Sequence, residues 1–185
     1  MIDRRTLIAG LSAALVAPRC AFAQTIRDAA GRAVKIPAKV SRVFPAGPPA
    51  SILLYTLAPD LLIGWARANR PEECAYMLPD ICTRPEVGRI TGRGNTANLE
   101  TVLALKPDLI LDVGATSATF VSLADRVQEQ TSIPYALLDG RFASIAATYR
   151  TLGTLIGRAD DAEKLARYAE ETLKTILGRI EPVAA

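Results

Sequence analysis

Trp65, Arg67, Arg70, Tyr76 and Arg93 are the side chains best suited to hold an anionic molecule. A guanidinium presents a planar fork of donors that matches paired anionic oxygens. A tryptophan face suits a flat or greasy surface. Each residue also has a plainer use. Trp65 could cap the core, the arginines could be solvated loop charges, and Tyr76 could be a packed ring. Asp112 lies inside the apolar run Leu109-Ile110-Leu111-Asp112-Val113 and reads as a buried hydrogen-bonding group. Gly92-Arg93-Gly94 invites a phosphate-loop reading, but no Gly-Lys-Ser/Thr follows and the full dinucleotide fingerprint is absent.

The chain contains no histidine. That excludes Ser-His-Asp triads, Cys-His nucleophile pairs and histidine-based zinc or manganese sites. No other constellation of hard ligands is visible, so the sequence predicts no metal centre and no resident cofactor. Cys74 and Cys82 stand eight residues apart. In an oxidising compartment they could close a small loop as a disulfide, or they could pack as two small apolar thiols.

The elements that must position these residues alternate along the chain. Residues 25–36 read as a β-hairpin around Asp28-Ala29-Ala30-Gly31. Short strands are predicted at 42–44, 61–65, 87–90, 108–113 and 134–138, and helices at 48–57, 72–78, 97–105, 117–130 and 142–156. A long helix over 159–180 follows, with Leu165, Tyr168, Ala169, Leu173, Ile176 and Leu177 at helical spacing. Glu163 with Arg167, and Glu170 with Lys174, are predicted i,i+4 pairs on it. Strands separated by helices imply an α/β fold: a parallel sheet flanked by helices, a Rossmann-like lobe with an N-terminal β-hairpin and a long C-terminal helix. In such sheets ligands bind beyond the carboxyl ends of the strands. That gathers five loops at one edge: residues 45–49, 66–70, 92–95, 114–119 and 140–142.

Residues 1–23 read as a removable export signal. Arg4 and Arg5 precede an apolar stretch at 7–17, too short to span a bilayer, and Ala21-Phe22-Ala23 suits cleavage before Gln24. Arg4-Arg5 also fits a twin-arginine signal; an ordinary secretory signal is the alternative. The arginine before Cys20 does not suit lipid attachment. The signal holds three arginines and one aspartate, so the net charge of +3 for the whole chain falls to +1 for residues 24–185. A near-neutral surface leaves no electrostatic footprint for nucleic acid. The domain reading is a signal at 1–23, an α/β lobe at 24–157, and an interlobe helix with the chain's end at 158–185.

Three stretches carry a resemblance. They are Gly31-Arg32-Ala33-Val34-Lys35-Ile36-Pro37 running on to Leu62-Ile63-Gly64, then Asn98-Leu99-Glu100-Thr101-Val102-Leu103-Ala104-Leu105-Lys106-Pro107-Asp108, and Leu152-Gly153-Thr154-Leu155-Ile156-Gly157 before the acidic start of the long helix. Together they resemble the N-lobe of the periplasmic substrate-binding proteins that deliver siderophores, haem and cobalamin to ABC importers. The resemblance implies a non-enzymatic receptor in the periplasm that takes an iron chelate, haem or cobalamin, rather than a bare ion. It implies that Trp65, Arg67, Arg70, Arg93 and Tyr76 face the ligand. It implies that Glu100 docks on arginines of the ABC permease, although an acidic residue in a helix's first turn is also an ordinary dipole partner. It further implies that residues 159–180 cross to a C-lobe. That lobe is not in the sequence, which reads as a truncated form, or as one lobe that pairs with a separately encoded C-lobe. The remaining alternative is a nucleotide-binding enzyme domain.

Overall fold

The computed structural model describes residues 22–92 and 97–180. The segment 1–23 read above as an export signal, apart from the backbone of its last two residues, lies outside that range. The chain opens with an antiparallel hairpin of β1 (Phe22–Arg27) and β2 (Ala33–Pro37). A parallel sheet follows, with β3 (Val43–Pro45), β4 (Leu109–Gly114) and β5 (Tyr135–Asp139) in the order β3-β4-β5. Its helices are α1 (Pro48–Leu57), α2 (Pro71–Cys74), α3 (Pro79–Cys82), α4 (Leu99–Ala104), α5 (Ala118–Thr131), α6 (Ile145–Ile156) and α7 (Ala159–Ile180). This is the α/β lobe that the alternation of elements implies.

The two-residue period of the strands sorts the core into two halves. Val43, Leu109, Leu111, Ala136 and Leu138 share one cluster with Leu53 and Leu54 of α1 and Leu152 and Leu155 of α6. Phe44, Ile110 and Tyr135 point the other way, into a cluster with Val102 of α4 and Ala124 and Val127 of α5. Each fully buried leucine stabilises the fold by roughly 1.5–3 kcal/mol. Burial on both faces explains why β4 is a nearly unbroken apolar run.

The hairpin is tied to the sheet through one carboxylate. Asp28 Oδ1 accepts from the backbone N–H of Ala30 and Arg32 at 3.0 and 2.9 Å. Its Oδ2 accepts from Arg32 Nη1 at 3.0 Å and from the N–H of Leu137 in β5 at 3.2 Å. Ala29 N–H donates to the Leu137 carbonyl beside it, at 2.9 Å. Arg32 also reaches Asp125 on α5 and the Tyr135 carbonyl. Turn, strand and helix therefore meet at a buried ion pair.

Helix α7 leaves α6 through a tight corner. A Cβ on Gly153 would collide with the Ala162 side chain, so the two helices touch backbone to methyl. Arg150 then holds Glu163 at 2.7 Å and Glu170 at 2.6 Å. Glu163 pairs with Arg167 as predicted, but Glu170 turns to Arg150 rather than Lys174. A bidentate fork from the neighbouring helix outcompetes a flexible exposed lysine. Only Ala162 and Ala166 of α7 are buried, while Tyr168, Ile176, Leu177 and Ile180 are exposed.

Two predicted strands are reduced to single bridges. Residues 61–65 begin in a 3₁₀ turn (Pro59–Leu61) and pair only at Leu62, with Val43, and at Trp65, with Glu86. Residues 87–90 form no strand. Gly88 takes a φ of +78°, a left-handed conformation that ends extended pairing. Of the predicted helix at 72–78 only residues 72–74 are helical, at the end of α2; α3 begins beyond it, and each of the two is opened by a proline that supplies no N–H.

Replacing Asp28 by Ala should leave Arg32 buried beside unsatisfied donors and cost about 3 kcal/mol in urea unfolding. Asp125→Ala, at the exposed end of the same network, should cost less than about 1 kcal/mol. Equal effects would mean that the carboxylate does not hold the hairpin.

Candidate functional site

Beyond the carboxyl ends of β3, β4 and β5 lie Ala46-Gly47, Ala115 and Gly140-Arg141-Phe142. The segment 66–70 stands next to them, because Leu62 bridges Val43 on the outer side of β3. The edge foreseen from the alternation therefore exists. Arg93 and its loop, residues 93–96, lie outside the described residues.

Trp65 does not present its ring to solvent; it is 3 % exposed. Its indole N–H donates to the Ile81 carbonyl at 2.8 Å, and its ring centroid lies 5.5 Å from that of Tyr55. Those partners draw it into the core. Only its margin lines a small cleft of about 60 Å³, between Ser51 and Ile52 of α1 and the loop carrying Arg67 and Asn69.

Arg67 and Arg70 converge on one carboxylate. Glu73, in the first turn of α2, takes both Nη atoms of Arg67 at 2.7 and 3.0 Å. It also accepts from Arg70 Nη2 at 3.2 Å and from the Arg70 backbone N–H at 2.8 Å. The Arg67 hydrogen bonds, then the Arg70 N–H, pull the Glu73 carboxyl down to about 2. The trio carries a net charge of +1. Glu73 fixes where the two forks stand, and both arginine side chains remain more than half exposed. Sequence reasoning missed Glu73; its spacing of i,i+3 from Arg70 is the signal that could have found it.

Cys74 and Cys82 are joined in a disulfide, with Cα atoms 5.5 Å apart, that links the ends of α2 and α3. Tyr76 rides on the loop they close. It is 90 % exposed, so packing does not explain it. Glu100 is exposed in the first turn of α4. Asn98 caps that helix, accepting from the Thr101 N–H at 2.8 Å. Among the described residues no group of three His, Cys, Asp or Glu side chains could hold a metal ion.

Asp112 lies beneath the edge, buried. Its carboxyl is raised above the usual range, chiefly by burial. Thr91 Oγ1 stands 3.1 Å from the Ala46 carbonyl and 3.2 Å from Asp112 Oδ1, yet a hydroxyl has one proton. That proton is shared between the two oxygens, and the Tyr135 hydroxyl donates to Oδ2 at 3.0 Å. Arg141 and Phe142, both exposed at the end of β5, are the other edge residues that sequence reasoning passed over.

The architecture matches solved periplasmic solute-binding proteins. An ABC transporter solute-binding protein from Sulfurospirillum deleyianum aligns at TM-score 0.68 and 24 % identity, over 82 % of this chain and 47 % of that one. The TroA-like periplasmic binding protein FepB from Veillonella parvula aligns at 0.63 and 23 %, over 85 % and 49 %. The heme binding protein HmuT aligns at 0.53 and 22 %, over 77 % and 43 %. The chain thus has the fold of these proteins and spans about half of their length. No protein-family model and no curated protein matches the sequence.

Two measurements check the site's electrostatics. Asp112→Asn removes a carboxyl whose proton the folded state binds more tightly than the unfolded chain does, because burial raises its pKa. The stability of the variant relative to the native chain should therefore rise with pH, from the usual carboxylate range through the raised pKa, in urea unfolding followed across pH. A relative stability that falls over that window would mean that the carboxyl is not held above its usual range. For Glu73 the sign is opposite. Its depressed pKa makes its contribution complete above about 4.5 and lost as pH falls toward 2. A carboxyl titration followed by NMR should centre near 2; a midpoint near 4.5 would mean that the arginine clamp does not form.

Proposed function

We propose that this chain is a ligand-capturing lobe of a periplasmic solute-binding protein serving an ABC importer for an iron complex, a siderophore, haem or a related chelate. It binds and releases without catalysis. The observation that carries the reading is the Arg67–Glu73–Arg70 trio. It is a fixed, exposed, net-positive fork at the carboxyl edge of a sheet whose fold is that of periplasmic solute-binding proteins. Two guanidiniums held in place at the rim suit the carboxylate or catecholate oxygens of an anionic chelate. The cleft beside Trp65 and the exposed phenol of Tyr76 add apolar contact. Export by the signal at 1–23, cleaved before Gln24, delivers the protein to the periplasm. Glu100 is the docking charge for the permease.

A second reading is favoured by α7. Its far half carries Ile176, Leu177 and Ile180 exposed, an apolar patch that this lobe does not cover. On that reading the lobe is an interaction module that acts only when a second lobe, carried on a separate chain, packs against α7.

Native mass spectrometry of the chain purified from the periplasm of its own cells tests the first reading. A retained iron chelate or porphyrin supports it. Ligand-free protein that also fails to bind any of a panel of ferric siderophores, hemin and cobalamin overturns it. Charge reversal at Glu100 should weaken capture by the permease roughly tenfold, whereas its place in the first turn of α4 accounts for only about 1 kcal/mol of stability. Undiminished capture would remove Glu100 from the docking surface.

A further inference from the structure

The opposite end of the ligand edge carries a second set of groups. β4 and β5 finish side by side, with Gly114 opposite Asp139. Gly140 N–H donates to the Gly114 carbonyl at 2.9 Å. A Cβ on Gly140 would stand 2.8 Å from Gly114 Cα, so the two backbones touch with no room for a side chain between them. A Cβ on Gly114 would meet nothing within 4 Å, so above it the edge is open. Together the two glycines form a bare backbone shelf.

Arg141 and Phe142 border that shelf. The Arg141 side chain is 81 % exposed, yet it is not loose. Its Nε and Nη2 grip Asp139 at 2.8 and 2.6 Å. Asp139 is itself held by the Arg141 backbone N–H at 2.9 Å and by Ser144 Oγ at 2.8 Å. Those bonds hold the Asp139 carboxyl far below the usual carboxylate range. Nη1 is left with its protons unassigned. Phe142 begins a 3₁₀ turn (Phe142–Ser144) and is 71 % exposed, so the core does not account for its ring. A fixed guanidinium beside an open aromatic face, over a floor with no side chains, is suited to a flat ligand with acidic oxygens.

We infer that Gly114, Gly140, Arg141 and Phe142 form a second ligand subsite, in which Phe142 stacks on a planar aromatic or macrocyclic group and Arg141 Nη1 pairs with an anionic oxygen. The inference rests on the solute-binding reading and narrows its substrate class. Along the edge the order is residues 66–70, β3, β4, then β5. Three strand spacings separate the two arginine groups, roughly 14 Å. A ligand that touches both is large, planar in part, and anionic. Compact or cationic chelates fit this arrangement poorly.

The test is titration of the full chain with hemin, with the ferric tris-complex of 2,3-dihydroxybenzoate, and with cationic ferrioxamine B, read by calorimetry. Hemin or the tris-catecholate should bind, and ferrioxamine B at least roughly tenfold more weakly. Phe142→Ala and Arg141→Gln should each weaken the planar anion by about tenfold, and Phe142→Tyr should retain it. Gly114→Leu should block the shelf, with its unfolding midpoint unchanged. Variants that keep native affinity, while Arg67→Gln loses it, overturn this subsite and leave the solute-binding reading standing. Tightest binding of ferrioxamine B overturns the planar-anion class. Failure of all three probes to bind the native chain overturns both.

Discussion

β4 is the constraint on which the rest of this lobe depends. Among the described strands it alone has a strand paired on each side, β3 and β5. Its alternate residues supply the centre of both hydrophobic clusters, Leu109 and Leu111 to one and Ile110 to the other. Parallel pairing on either side forces every connection to cross over the sheet, so all three carboxyl ends open on one edge. Asp112 and Gly114 follow from the same strand. Asp112 replaces an apolar residue at one position and must then bring its own partners, Thr91 and Tyr135. Gly114 ends the strand without a side chain where the edge has to stay open.

The polar groups obey a common rule. Most arginines whose position matters are held by an acidic partner close in sequence or on an adjoining element: Arg32 by Asp28, Arg67 and Arg70 by Glu73, Arg141 by Asp139, Arg150 by Glu163 and Glu170. Exposed pairs of this kind add little to stability, a median near 0–1 kcal/mol. Their effect is geometric. A guanidinium that spends two donors on a neighbouring carboxylate keeps the others aimed in one direction, and less side-chain entropy is lost when a ligand arrives. The near-neutral mature charge therefore does not argue against an anionic ligand. The positive charge of the Arg67–Glu73–Arg70 trio is local and placed.

What the sequence made legible was periodicity, and what it hid was competition between partners. β4 and α7 were readable because long apolar spacing leaves few alternatives; α7 runs over the predicted residues. The strand at 61–65 was misread because its apolar run satisfies a 3₁₀ turn and two bridges equally well, and Gly88 removes the partner that would have extended it. At the edge, residue type suggested arginine forks but could not show that Glu73 claims both of them. Trp65 looked like a ligand face because it ends an apolar run. Tyr55 and the Ile81 carbonyl, ten and sixteen residues away, decide otherwise. Phe142 was read both as the end of an edge loop and as the start of a helix, and the 3₁₀ turn leaves it exposed.

The same competition sets the direction of α7. Its sequence pairs Glu163 with Arg167 and Glu170 with Lys174 along the helix, contacts that would stabilise it in any orientation. The structure keeps Glu163 on Arg167 but also commits it, together with Glu170 two turns further along α7, to Arg150 on α6. With Gly153 against Ala162 at the corner, three contacts fix both the angle and the rotation of the helix about its axis. A helix needing only to cover this lobe would be satisfied by Ala162 and Ala166. Pinning the rotation also determines which way the exposed Ile176, Leu177 and Ile180 face.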